Sequence, residues 1–257
     1  MPTAMELIKH ATTPGSYPTR EFLWWECHET QFVKQIIKPG MTCIDVGAKV
    51  GWYAMLCSVL AEKTGYVIAF EPLTEHYSKL LEYADQIKDT YKNASCIRSI
   101  NNALSDKEET KRIKVSNTGG FTLIDGNEDD DRSQLVFFTT LDQFIVDWRG
   151  SILTVDFIKV DIDGHEVKFL RGAKKTIKKY QPLMMIEFGW PAKAVIGDDL
   201  NEGVDILEEL GYTFYNVCGL HYTPDRKAEN PFPIAVSSGI NVVCVPKGQS
   251  FPKIELL

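Results

Sequence analysis

Strand-like and helix-like segments alternate along the chain from Thr42 to Val245, and this alternation constrains the fold more than any other feature. Thr42–Val46 is a short apolar strand, followed by a helix over Gly51–Lys63 with Tyr53, Leu56 and Leu60 on its inner face. Gly65 breaks that helix ahead of a second strand, Tyr66–Phe70. Glu75–Lys88 is amphipathic through Leu80, Leu81, Ala84 and Ile87, and Ser95–Ile100 reads as a third strand. Beyond it the pattern changes: Arg112–Val115, Gly120–Ile124 and Leu135–Thr139 read as short antiparallel strands between Gly, Asn and acidic turns. Alternation then resumes with strand Asp156–Val160, helix Val167–Lys179, strand Leu183–Phe188, helix Val204–Leu210, and strands Tyr212–Val217 and Ile240–Val245. Crossovers of this length require a mostly parallel sheet with helices on both faces. The last two strands, joined by an irregular segment, suit an antiparallel edge.

Ahead of the first strand, Glu29–Ile37 places Phe32/Val33 and Ile36/Ile37 on one helical face, and Pro39-Gly40 ends it. The expected organisation is an N-terminal helical extension over 1–38, one α/β domain over 39–247 with a β-rich insertion at 111–140, and a tail over 248–257. A chain of 257 residues, 44% hydrophobic and 25% charged, buries a sizeable core and is neither disordered nor a coiled coil. Its net charge of -7 argues against binding nucleic acid through bulk positive charge. Asn127–Asp131 reads as a solvated acidic loop, and Lys174, Lys175, Lys178 and Lys179 as a solvated helix face. No apolar run approaches the ~20 residues of a membrane helix, and the first residues lack a secretory pattern. The six cysteines form no C-x-x-C pair, and Cys43, Cys57 and Cys244 sit in apolar segments, so they read as reduced core residues. The expectation is a cytoplasmic protein with no membrane span and no nucleic-acid partner.

The turn after the first strand is Asp45-Val46-Gly47-Ala48-Lys49-Val50-Gly51, at the strand end where open parallel sheets bind ligands. It is not G-x-G-x-x-G. A carboxylate here repels a pyrophosphate and attracts a cationic ligand, as the sulfonium and ammonium of S-adenosylmethionine are. The second strand ends in Phe70-Glu71-Pro72, which puts an acid about 20 residues past the glycine turn, where ribose hydroxyls are held.

In these and further segments the sequence resembles the FkbM family of S-adenosylmethionine-dependent methyltransferases. The resemblance runs from about residue 40 to 245. It rests on Ile44–Ala48, Gly51-Trp52-Tyr53, Ala69–Pro72, Asn102–Asp106, Thr140-Leu141-Asp142, Ile158–Glu166, Leu170–Ala173 and Pro182–Glu187. It implies a class I methyltransferase (Rossmann-like) fold, with a seven-stranded mostly parallel sheet and an antiparallel edge strand. It also implies methyl transfer to a hydroxyl of a sugar, polyketide or similar small molecule. Carried over by position, Asp45, Gly47 and Gly51 line the methionine moiety, Glu71 holds the ribose, and Asn102-Ala103 lies by the adenine. Lys49 stands where the family typically has Asn, a residue that adopts a left-handed backbone at lower cost.

A hydroxyl acceptor needs its proton removed, and Asp161–Glu166 brings four candidates to a strand end. His165 has the intrinsic pKa best suited to a base near neutral pH, and Asp161 at the strand tip faces cofactor or acceptor. Asp163 and Glu166 suit helix N-terminal amides. Glu187, a lone carboxylate in an apolar strand, needs partners and points to the same cleft. Asp161, Asp163, His165 and Glu187 have the oxygen-rich character that magnesium or calcium prefers, but their spacing is not diagnostic and no metal is assigned. Trp24, Trp25, Trp190 and Tyr222 either shape an acceptor pocket or cover the core. The leading expectation is O-methylation of a hydroxylated sugar, glycan or metabolite. N-methylation of a peptide or amide, and a catalytically silent cofactor-binding domain, stay open beside it.

Overall fold

The computed structural model describes residues 8–9, 26–115, 121–123, 133–148, 154–189, 197–228, 231–232 and 239–254. Helix α1 (Cys27–Ile36) precedes β1 (Thr42–Val46), α2 (Trp52–Ala61), β2 (Tyr66–Phe70), α3 (Thr74–Thr90) and β3 (Cys96–Ile100). Four strands follow, β4 (Ala103–Leu104), β5 (Glu109–Val115), β6 (Phe121–Leu123) and β7 (Ser133–Thr139). After helix α4 (Leu141–Asp147) come β8 (Phe157–Val160), α5 (Glu166–Tyr180), β9 (Leu183–Phe188) and α6 (Leu200–Glu209). Strands β10 (Tyr212–Tyr215), β11 (His221–Tyr222) and β12 (Ile240–Pro246) complete the described chain. The acidic loop Asn127–Asp131 and Trp24, Trp25 and Trp190 lie outside the described residues.

The main sheet has the order β11-β10-β12-β9-β8-β1-β2-β3. From β1 the chain winds outward through β2 and β3, then returns to the other side of β1 with β8 and winds away through β9. The reversal opens a crevice between the carboxyl ends of β1 and β8, the place where such sheets hold ligands. Strand β1 is buried along its whole length, as a central parallel strand covered on both faces must be. One face carries Val46, Ile158 and Val160 against Val167, Leu170, Val204 and Leu207 of α5 and α6. The other carries Cys43, Val67 and Ala69 against Phe32, Val33, Met55 and Leu56 of α1 and α2.

The sheet has eight strands rather than the expected seven, because the two-residue β11 extends the edge beside β10. The long antiparallel strand is internal: β12 pairs antiparallel with β9 on one side and β10 on the other. Its run Val242–Val245 is buried on both faces, which an edge position would not provide. The four strands between β3 and α4 form a second sheet, of order β4-β7-β5-β6, around a small core of Leu73, Ala103, Ile113, Val136 and Phe138.

Candidate active site

A cavity of about 500 Å³ opens at the carboxyl ends of β1, β2, β8 and β9. Of the residues read as functional from sequence, Asp45, Gly47, Glu71, Asn102, Ala103, Asp161, His165 and Glu187 all line it, and Gly51 does not. Gly51 instead starts α2 with a positive φ of 94°, and a side chain there would strike Leu80 Cδ1 at 2.5 Å.

Asp45 is buried on β1 and takes a backbone hydrogen bond from Ala54, while its Oδ2 has no hydrogen-bond partner. Burial pushes its carboxyl up to about 7, against the pull of Lys159. Gly47 follows in the left-handed region at φ 82°, and a Cβ on it would lie 1.9 Å from the main-chain oxygen of Asp161. The turn therefore passes directly over the end of β8. Lys49 is exposed and left-handed at φ 53°, the conformation that Asn adopts more cheaply. Its amide donates to Glu71 Oε2 at 2.8 Å, while the Leu73 amide donates to Glu71 Oε1 at 2.8 Å. Buried Glu71 is thus locked in place by two turns, with His76 Nδ1 3.7 Å from it. Asn101, which sequence reading passed over, donates to the main-chain oxygens of Glu71 and Pro72.

The other end of the cavity is built on β8 and β9. Asp161 and Glu187 share a side-chain hydrogen bond. Burial raises Glu187, and the negative Asp161 raises it further. Burial also raises Asp161, but Lys159 and the Glu187 bond outweigh it and hold Asp161 below its ordinary value. Gly239 leaves the room this needs, since a Cβ there would meet Glu187 Oε1 at 2.1 Å. Two further residues that sequence reading missed line the same end: Lys159, and Glu26, which accepts a hydrogen bond from the Tyr53 hydroxyl. Lys159 had the signal that flagged Glu187, a lone charge in an apolar strand. Glu26 had none, because only folding brings it there.

His165 precedes α5, is 3% exposed, and is drawn down to about 4 by burial and by Lys168 and Lys111. Asp163 adopts φ 51°, and its carboxyl is raised by burial and then by Asp161. Glu166 ties the loop together: its Oε1 accepts from the Gly164 amide at 3.0 Å and the Ile162 amide at 3.4 Å, leaving Oε2 unpartnered. Burial pushes Glu166 up to about 7. A raised carboxyl stabilises the fold most at low pH, and this contribution is lost as pH climbs from the ordinary carboxylate value to about 7. Glu166→Gln removes the penalty, so urea denaturation is expected to show the variant gaining roughly 2 kcal/mol on the wild type between pH 5 and pH 8. Among the described residues, no group of three or more His, Cys, Asp or Glu is arranged to hold a metal ion. No described helix is long and apolar enough to cross a membrane. Tyr222, the described member of the aromatic candidates, packs against Phe232 rather than lining the cavity.

The sequence profile of the methyltransferase FkbM domain matches residues 45–214, from the acid of the first turn through β10. The chain belongs to the FkbM methyltransferase family. A hexuronic acid methyltransferase, AglP of Haloferax volcanii, is 28% identical over 141 residues, which cover 52% of this chain and 50% of that protein. The crystal structure of an FkbM methyltransferase from Methylobacillus flagellatus superposes with a TM-score of 0.50 at 15% identity, covering 94% of this chain and 57% of that one. A putative rRNA methylase from Clostridium thermocellum aligns at a TM-score of 0.48 and 11% identity, covering 86% and 94% of the two chains. The chain therefore spans only about half the length of the relatives named first, and the second likeness concerns the fold. S-adenosylmethionine is the cofactor of the FkbM family, and the residues present fit it. A buried carboxylate oxygen stands unpartnered at the strand end, Gly47 has no room for a side chain against the end of β8, and Glu71 is held rigidly one strand away.

Proposed function

We propose that this FkbM methyltransferase transfers the methyl group of S-adenosylmethionine to a hydroxyl of a sugar or related small molecule. The observation that carries this reading is that one cavity has the Asp45–Glu71 end and the Asp161–Glu187 end as parts of the same wall. Asp45 and Gly47 would hold the methionine part, Glu71 the ribose, and Asn102-Ala103 the adenine. When bound, the cofactor supplies a methyl group on a positively charged sulfur, which takes the electron pair as the bond to carbon breaks.

Such a displacement demands alignment above all, so the rigidity of the Gly47 turn over β8 is itself catalytic in effect. The acceptor hydroxyl also loses a proton, and we favour the Asp161–Glu187 pair over His165 to receive it. The Asp161 side chain lines the cavity and is 34% exposed, whereas His165 is 3% exposed. A proton on His165 would also create a buried cation near Lys168 and Lys111. The acid pair and a relative named for a hexuronic acid both support a hydroxylated acceptor.

The test is transfer of label from methyl-tritiated S-adenosylmethionine to a panel of neutral hexoses, hexuronic acids, glycosides and short peptides. Methyl ethers on the hydroxylated compounds are expected. Label appearing only on peptide nitrogen would replace this reading with N-methylation.

A further inference from the structure

Lys159 is among the largest fully buried side chains, and nothing in cofactor binding calls for it. Its ammonium lies 3.5 Å from Asp161 Oδ2 and 5.5 Å from the centre of the Tyr53 ring, with a long hydrogen bond of 3.4 Å to the Val160 oxygen. Burying an ammonium is costly unless it is well paired, so an apolar residue would serve the strand better. The groups facing it come from every surrounding element: Asp161 on its own chain segment, Asp45 on β1, Glu187 on β9, and Glu26 and Tyr53 from the starts of α1 and α2. Lys159 thus stands among four carboxyl groups, and Asp161 is drawn down by Lys49 of the β1 turn as well. Of the four, Glu26 lies outside the matched FkbM domain.

We propose that Lys159 is a positioning residue: it holds Asp161 as the ionised member of the Asp161–Glu187 pair, so that an Asp161 oxygen takes the acceptor proton. This rests on the methyl-transfer reading above. As the acceptor oxygen bonds to the methyl carbon, its O–H bond breaks, the proton passes to Asp161, and the O–H electrons remain on the acceptor oxygen. Lys159 keeps its protons throughout, and Glu187 keeps its own. An oxygen gaining a methyl group becomes strongly acidic, so a carboxylate of low basicity suffices if it is ionised and within reach. The depressed Asp161 and raised Glu187 carboxyls accord with this division.

Side-chain carboxyl ¹³C NMR titration of the full chain, with no cofactor added, tests the proposal by comparing wild type with Lys159→Met. The Asp161 midpoint is expected to rise by at least about one pH unit, a tenfold change in acidity, and the gap to Glu187 to narrow. An unchanged Asp161 midpoint overturns the proposal. If Lys159→Met does not fold, Glu26→Gln supplies the second arm. It removes a competing carboxyl, so Asp161 is expected to titrate lower, and no movement overturns the proposal. Neither arm involves cofactor or acceptor, so failure here is distinct from failure of the methyl-transfer reading, which would show as an absence of S-adenosylmethionine binding.

Discussion

Gly47→Ala is expected to cost roughly 3 kcal/mol or more of stability, to lower Tm by about 10 °C, and to abolish S-adenosylmethionine binding. Two penalties add at this position. A left-handed backbone costs an L-residue about 1–2 kcal/mol. The new methyl would also sit 1.9 Å from the Asp161 carbonyl oxygen, a main-chain atom that no rotamer change can move aside. Relief requires the β1 turn to lift from the end of β8, and that separates Asp45 from Asp161. Thermal unfolding followed by circular dichroism checks the first part, and calorimetric titration the second. An alanine variant with wild-type Tm and affinity would mean that the turn is not packed as described.

Glu71→Ala is expected to weaken S-adenosylmethionine binding at least about 100-fold, or roughly 2.7 kcal/mol. The substitution removes the acceptor from the Lys49 and Leu73 amides, and the buried Leu73 amide left without a partner costs about 1–3 kcal/mol. Both the glycine turn and the start of α3 loosen as a result, in addition to the loss of the proposed ribose partner. Glu71→Gln keeps one acceptor oxygen and is expected to fall between the two. Calorimetric titration of the three proteins decides it. Normal affinity in Glu71→Ala would show that the ribose lies elsewhere.

How much of this was legible in the sequence depends on how local each cause is. Strands β1, β2 and β9 have the expected bounds, because each is an apolar run closed by glycine, proline or a charged turn. The place of β12 was not legible, since pairing between β9 and β10 joins residues far apart in sequence. Helix α4 was missed although Thr140 and Gln143 bear a capping pattern. The Thr140 side chain accepts from the Gln143 amide at 3.0 Å. Seven residues are too few for periodicity to register.

The site divides in the same way. That Asp45, Gly47 and Glu71 line the cavity was readable, because each sits at the end of its strand or in the short turn directly after it. The meeting of Glu26, Tyr53, Lys159 and Glu187 was not, because α1, α2, β8 and β9 must pack before these side chains come together. His165 was read from its intrinsic pKa, and burial beside two lysines then moves it down to about 4. Only the fold supplies that environment.

The decisive measurement is calorimetric titration of the full chain with S-adenosylmethionine at pH 6 and pH 8, with NAD as control. Asp45 titrates near 7 when free, and a cationic ligand favours its ionised form, so binding releases a proton and tightens as pH rises. S-adenosylmethionine is expected to bind about tenfold tighter at pH 8 than at pH 6, and NAD not to bind. NAD binding in its place, or no S-adenosylmethionine binding at either pH, would overturn the assignment of this cavity to S-adenosylmethionine.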